Sequence, residues 1–71
     1  MDERVECYSG LEYAERPIRF FWQGLWRTVG RICAERRTPE GKQFEVLDEE
    51  EGKFLLTYKT AGDAWTIRPA P

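Results

Sequence analysis

The sequence predicts an all-β fold: a small, strongly curved antiparallel meander of five to six strands, SH3-like or a related small barrel. Three observations predict it. Apolar and polar residues alternate in short runs, at the period of two that a half-buried strand requires. Turn signals rich in Gly, Pro, Asp and Thr separate these runs by roughly 8–12 residues, the pattern of a small sandwich or barrel. No window carries apolar residues at three-and-four spacing through three helical turns. At 71 residues the chain is read as one domain over 1–71, with an ordered core over about 4–68.

The elements follow in order. Arg4 to Tyr8 sets Val5 and Cys7 against charged Arg4 and Glu6. Ser9 to Arg16 holds material for one helical turn, but Pro17 disfavours helix at Arg16, so a loop or short turn is expected. Ile18 to Trp22 places Ile18, Phe20 and Trp22 on one face and Arg19 and Phe21 on the other. Gln23-Gly24 is a two-residue hairpin turn, with the glycine supplying a positive φ. Leu25 to about Arg36 is a long strand. Val29 and Ile32 are three apart there, which breaks the period of two, and Gly30 is where a β-bulge would restore it. Thr38 to Lys42 turns, and Gln43 to Leu47 carries Phe44 and Val46 on one face. Asp48 to Gly52 is an acidic turn. Lys53 to Tyr58 points Phe54, Leu56 and Tyr58 inward. Thr60 to Asp63 turns again, Ala64 to Arg68 presents Trp65 and Ile67, and the Pro69-Ala70-Pro71 tail frays. Direct turns imply antiparallel neighbours. The expected core is Val5, Ile18, Phe20, Trp22, Val29, Ile32, Phe44, Val46, Phe54, Leu56, Tyr58, Trp65 and Ile67. Burying each is worth about 1.5–3 kcal/mol, which offsets the chain entropy of a small barrel. Curvature also disposes of the edges that a flat sheet exposes.

One register stays open. A two-residue Gln23-Gly24 loop pairs Phe21 with Trp26 and Phe20 with Arg27. A loop one residue longer turns Trp26 inward and Arg27 outward, because a slip of one flips the whole strand.

Composition narrows the function classes. No apolar run reaches the ~18 residues of a membrane-spanning helix, so no membrane partner is expected. The N-terminal stretch Met1 to Glu6 is acidic and lacks the apolar region of a signal peptide. Cys7 and Cys33 are the only thiols, whereas a secreted domain of this size is usually denser in cysteine. The expectation is a cytoplasmic protein with two reduced, semi-buried strand cysteines, although one bridge between them stays open. There is no histidine. Two cysteines without one give no zinc signature, and the run Asp48-Glu49-Glu50-Glu51 lacks the alternating ligands of a calcium loop. No metal or cofactor is expected. A cysteine nucleophile would lack its base, and Ser9, the sole serine, sits in no nucleophile elbow. The chain is read as a non-enzyme.

Charge is segregated along the chain. Residues 1–15 hold five acids against Arg4, residues 16–42 seven bases against two acids, and residues 43–71 six acids against three bases. A net charge of −2 therefore hides a basic central hairpin between acidic ends. The bases there are mostly arginine, suited to bidentate phosphate or carboxylate contact and to stacking on rings. The candidate binding surface is the outer face of that hairpin: Arg19, Phe21 and Trp26 with Thr28, then Arg31, Arg36 and Arg37 further along. Arginines interleaved with aromatics on a sheet face are what single-strand nucleic-acid binders use. The duller account pairs Phe21 with Trp26 across the strands, beneath the N-terminal segment, with the arginines solvated or paired to Glu12 and Glu15. A third account makes Phe21, Trp26, Tyr8 and Tyr13 an exposed apolar patch for a protein partner or for self-association. The acidity of the whole chain weighs against DNA, since binders usually have a basic domain. Exposure of Phe21 and Trp26 beside the arginines discriminates these accounts.

The segments Glu15-Arg16-Pro17-Ile18-Arg19-Phe20-Phe21-Trp22-Gln23-Gly24, then Val29 and Ile32, Phe44-Glu45-Val46, Gly52-Lys53-Phe54-Leu55-Leu56 and Asp63-Ala64-Trp65 carry a resemblance. Over about residues 15–68 the chain resembles a family of short uncharacterised bacterial proteins. Its members read P-x-x-F-x-W-x-G, a valine five residues on, then F-x-V, a G-x-x-F/Y-x-L strand and a final W-x-I/L. Segments similar to that family occur at the C-terminal end of proteins related to Y-family error-prone DNA polymerases. The resemblance implies a shared small β fold and no catalytic residue. It adds weight to nucleic acid by analogy alone. This chain departs from the pattern at Arg27, where an aromatic is expected, with Trp26 beside it. The expected role is a non-enzymatic interaction or accessory module.

Overall fold

A computed structural model describes residues 4–8 and 16–71. These residues contain six strands: β1 (Val5–Tyr8), β2 (Arg16–Trp22), β3 (Leu25–Thr38), β4 (Gly41–Asp48), β5 (Lys53–Lys59) and β6 (Ala64–Pro69). They pair antiparallel in chain order, β1-β2-β3-β4-β5-β6, as one strongly curled half-barrel. The loop or helical turn expected before Pro17 lies outside the described residues. The turns at Gln23-Gly24 and Thr60 to Asp63 are as expected, the β3–β4 turn is tighter, with Pro39-Glu40 alone between the strands, and Pro69 belongs to β6.

The two-residue loop wins. Phe21 pairs with Trp26, Phe20 with Arg27 and Trp22 with Leu25. Both loop residues have positive φ, Gln23 at 50° and Gly24 at 82°. That is the primed geometry whose twist matches the flanking strands. Gly41 answers a different constraint. A Cβ on it would run into the carbonyl oxygen of Tyr58 on β5, so β4 and β5 approach as closely as they do only over a glycine.

Curling comes from three bulges. Val29 pairs with Asp48 and Arg31 with Leu47, leaving Gly30 as the extra residue expected there. A second extra residue follows at once, because Ile32 pairs with Val46 and Ala34 with Glu45. It is Cys33, which is exposed, so the expectation of a semi-buried thiol holds for Cys7 and fails for Cys33. The third lies in β2: Glu6 pairs with Arg19 but Cys7 with Pro17, leaving Ile18 over. This corrects the expected core. The bulge hands the inward position to Pro17, which is fully buried, and turns Ile18 out to 41% exposure. Each bulge bends its strand and increases its twist. Together they let β3 serve two sub-sheets, β1-β2-β3 and β3-β4-β5-β6.

The concave face is the core. Val5, Phe20, Phe44, Val46, Phe54, Leu56, Tyr58, Trp65 and Ile67 are buried, with Cys7, Trp22, Val29 and Ile32 packed against them. Phe54 on β5 holds the two sub-sheets together. Its ring centroid lies 4.9 Å from that of Phe20 and 5.6 Å from that of Trp22. Trp65 packs 5.1 Å from Tyr58 and 6.1 Å from Phe44. Such tilted pairs add about 0.5–1.5 kcal/mol each beyond their buried area.

Candidate binding face on the first three strands

Alternation sends Glu6, Arg19, Phe21, Trp26 and Thr28 to the convex face. Registers then stack them: Glu6 beside Arg19 beside Thr28, and Phe21 beside Trp26. The rings of Phe21 and Trp26 meet edge-on at 5.4 Å. Trp26 stays 40% exposed and Phe21 half-buried. The Arg19 guanidinium sits 4.6 Å from the Trp26 ring centroid. From just before β1, Arg4 reaches 5.0 Å from Phe21 and 5.9 Å from Trp26. Two arginines and two rings thus form one exposed cluster, within the range of cation–π attraction. A backbone hydrogen bond from the Phe21 N–H to the Arg4 carbonyl, 2.9 Å, fixes Arg4 beside it.

Glu6 orients the cluster. Its carboxylate accepts two hydrogen bonds from Arg19, at 2.7 Å from Nε and 3.2 Å from an Nη. Those bonds hold the Glu6 carboxyl below its usual range and push the Arg19 guanidinium up. The fork holds the guanidinium plane over Trp26. Glu12 and Glu15, expected as partners of the arginines, and Tyr13 lie outside the described residues, as does the side chain of Tyr8.

The remaining candidates spread along β3. Arg31 pairs with Leu47 and Arg36 with Gln43, on the convex rows. Arg37 pairs with Lys42, whose own partner is buried Tyr58, so Arg37 falls on the concave row and not on the outer face. The structure thus gathers Arg19, Phe21 and Trp26, sets Arg31 and Arg36 further along the same face, and separates Arg37. It adds Arg4 and Glu6, whose outward phase was legible from Val5 and Cys7. That β1 lies beside β2 was not.

Arg27 takes the inward phase beside Phe20 and makes a different device. One guanidinium nitrogen lies 3.2 Å from Asp48 Oδ2. The other Asp48 oxygen accepts the amides of Glu50, 2.9 Å, and Gly52, 2.7 Å. A buried carboxylate so satisfied caps the turn that follows it. Asp48 is thereby committed to the turn and to Arg27. No group of three or more metal-ligating side chains comes together among the described residues. Among them, too, no helix is long and apolar enough to cross a membrane.

No family model, curated protein or solved structure matches the chain.

Proposed function

We propose that the chain is a non-enzymatic, cytoplasmic accessory module that associates weakly with single-stranded nucleic acid through Arg4, Arg19, Phe21 and Trp26. The observation that carries this is an exposed tryptophan flanked by two arginines on the convex sheet face. A tryptophan offers a base its π-face and arginines meet the phosphates, a combination tolerant of sequence. Arg19 and Trp26 both come from the basic stretch of the chain, although Glu6 sits in the cluster and Asp48, Glu49 and Glu50 line the pocket beside Trp26. The resemblance to segments attached to Y-family polymerase relatives is consistent with such a role, by analogy.

Fluorescence anisotropy of a labelled oligothymidine tests this at low salt. Two phosphate contacts, one for each arginine, predict an affinity that falls with a log–log salt slope of about −1.4. Trp26→Ala is expected to weaken binding at least about fivefold, since base–aromatic stacking is worth about 1–3 kcal/mol. An unchanged affinity in Trp26→Ala, or no binding at low salt, contradicts the proposal. The alternative, a protein-binding or self-associating patch on the same rings, predicts instead a hydrodynamic size that grows with concentration and reverts in Trp26→Ala.

A further inference from the structure

β3 leaves a gap where it passes from one sub-sheet to the other. Its pairing with β2 ends at Thr28 opposite Arg19. The next pair would be Val29 with Ile18, but the Ile18 and Gly30 bulges bend the two strands apart there. From Val29 onward β3 pairs only with β4, and Arg16 and Pro17 pair only with β1. Among the described residues the β2-facing edge of Val29 to Ile32 has no strand beside it. A groove of about 400 Å³ fills this gap, lined by Arg16, Pro17, Ile18, Val29, Arg31 and Ile32 among others. That volume lies within the range of ligand clefts.

The lining says what fits. An unpaired strand edge offers backbone donors and acceptors at strand spacing, the requirement for adding an extended peptide. Ile18 is a large apolar side chain left 41% exposed at the rim, with Val29 and Ile32 half-buried. Arg16 and Arg31 stand exposed around them, and neither has an ion pair among the described residues. Charge and apolarity therefore alternate as they would in the complement of an acidic strand.

We propose that this groove binds an extended acidic peptide, carrying alternate apolar side chains, as an added strand along Val29–Ile32. The apolar residues pack on Val29 and Ile32, and the carboxylates meet Arg16 and Arg31 on the outer side, with Ile18 at the rim. The site adjoins the Trp26 cluster at Thr28 but does not use Trp26.

The test titrates the folded chain with the end-capped peptide EIEVEI, its proline-interrupted form EIPVEI and its cationic form KIKVKI, following backbone amides by NMR. EIEVEI is expected to shift the amides of Val29 to Ile32. EIPVEI loses a ladder donor and KIKVKI reverses the charge, so each is expected to bind at least tenfold more weakly. The double variant Arg16→Glu, Arg31→Glu and the single variant Ile18→Asp change exposed side chains only, and each is expected to weaken EIEVEI at least tenfold. Equal binding of EIPVEI overturns strand addition. Shifts confined to Trp26 and its neighbours, or no binding of EIEVEI, overturn the site. Displacement of EIEVEI by oligothymidine makes the groove a phosphate track and overturns the peptide. Protection of the same amides on self-association would name a second copy as occupant and overturn it equally. Failure of oligothymidine binding at Trp26 leaves each of these outcomes readable.

Discussion

Asp48 is the residue on which the acidic turn depends. It is 5% exposed, yet its carboxylate accepts two backbone amides and faces Arg27. Asp48→Ala leaves those amides and the guanidinium without their acceptor and is expected to cost about 3 kcal/mol in urea unfolding. Asp48→Asn keeps an oxygen for the amides and is expected to cost about 1 kcal/mol. Equal losses would mean that the ion pair, not the turn, dominates. Cys7 makes a second residue-scale prediction. Burial raises its thiol from 9.0 to about 11, with Lys42 opposing more weakly. A thiol raised on folding contributes stability in full below pH 9.0, and that contribution disappears as pH rises through about 11. Unfolding of the wild type is therefore expected to lose more stability over that window than unfolding of Cys7→Ala. At neutral pH a thiol reagent should modify exposed Cys33 quickly and half-buried Cys7 more slowly. Neither role was visible in the sequence. Asp48 reads as one acid in a row of four, and Cys33 as a strand residue, until register shows one buried and the other bulged out.

Element by element, legibility followed local chemistry. Gln23-Gly24 was readable because a primed turn needs positive φ, and Gly30 because the spacing of Val29 and Ile32 demanded an extra residue. The bulges at Ile18 and Cys33 carry no glycine and no local signal. They follow from partner strands, and a partner's identity is a long-range fact. Gly41 is a similar case, a glycine read as turn chemistry that serves as a close strand contact. Gly41→Ala is expected to destabilise by about 1–3 kcal/mol, since the new methyl must displace β5 at Tyr58. The measured midpoint should fall while the denaturant slope stays constant. A neutral Gly41→Ala would contradict the close approach of β4 and β5.

For the whole molecule, the arithmetic of charge was legible and its placement only in part. Alternation put Arg19, Phe21 and Trp26 on one face and the structure keeps them there. Arg37 falls inward because the two bulges between it and Trp26 shift the phase twice and cancel, whereas Arg31, between them, is turned outward by the first. Alternation could not reveal that Glu6 forks onto Arg19 or that Arg4 stands over Phe21, since both depend on β1 lying beside β2. Six antiparallel neighbours in chain order curl a core onto one side and leave the cation–aromatic cluster on the other. Nucleic acid is proposed to land on this convex cluster. Amide and indole NMR shifts on adding oligothymidine, at low and then moderate salt, test it most directly. Shifts are expected at Arg4, Arg19, Phe21, Trp26 and Thr28 that fade as salt rises, with the β5–β6 hairpin unmoved. Shifts elsewhere, or none at low salt, would contradict it.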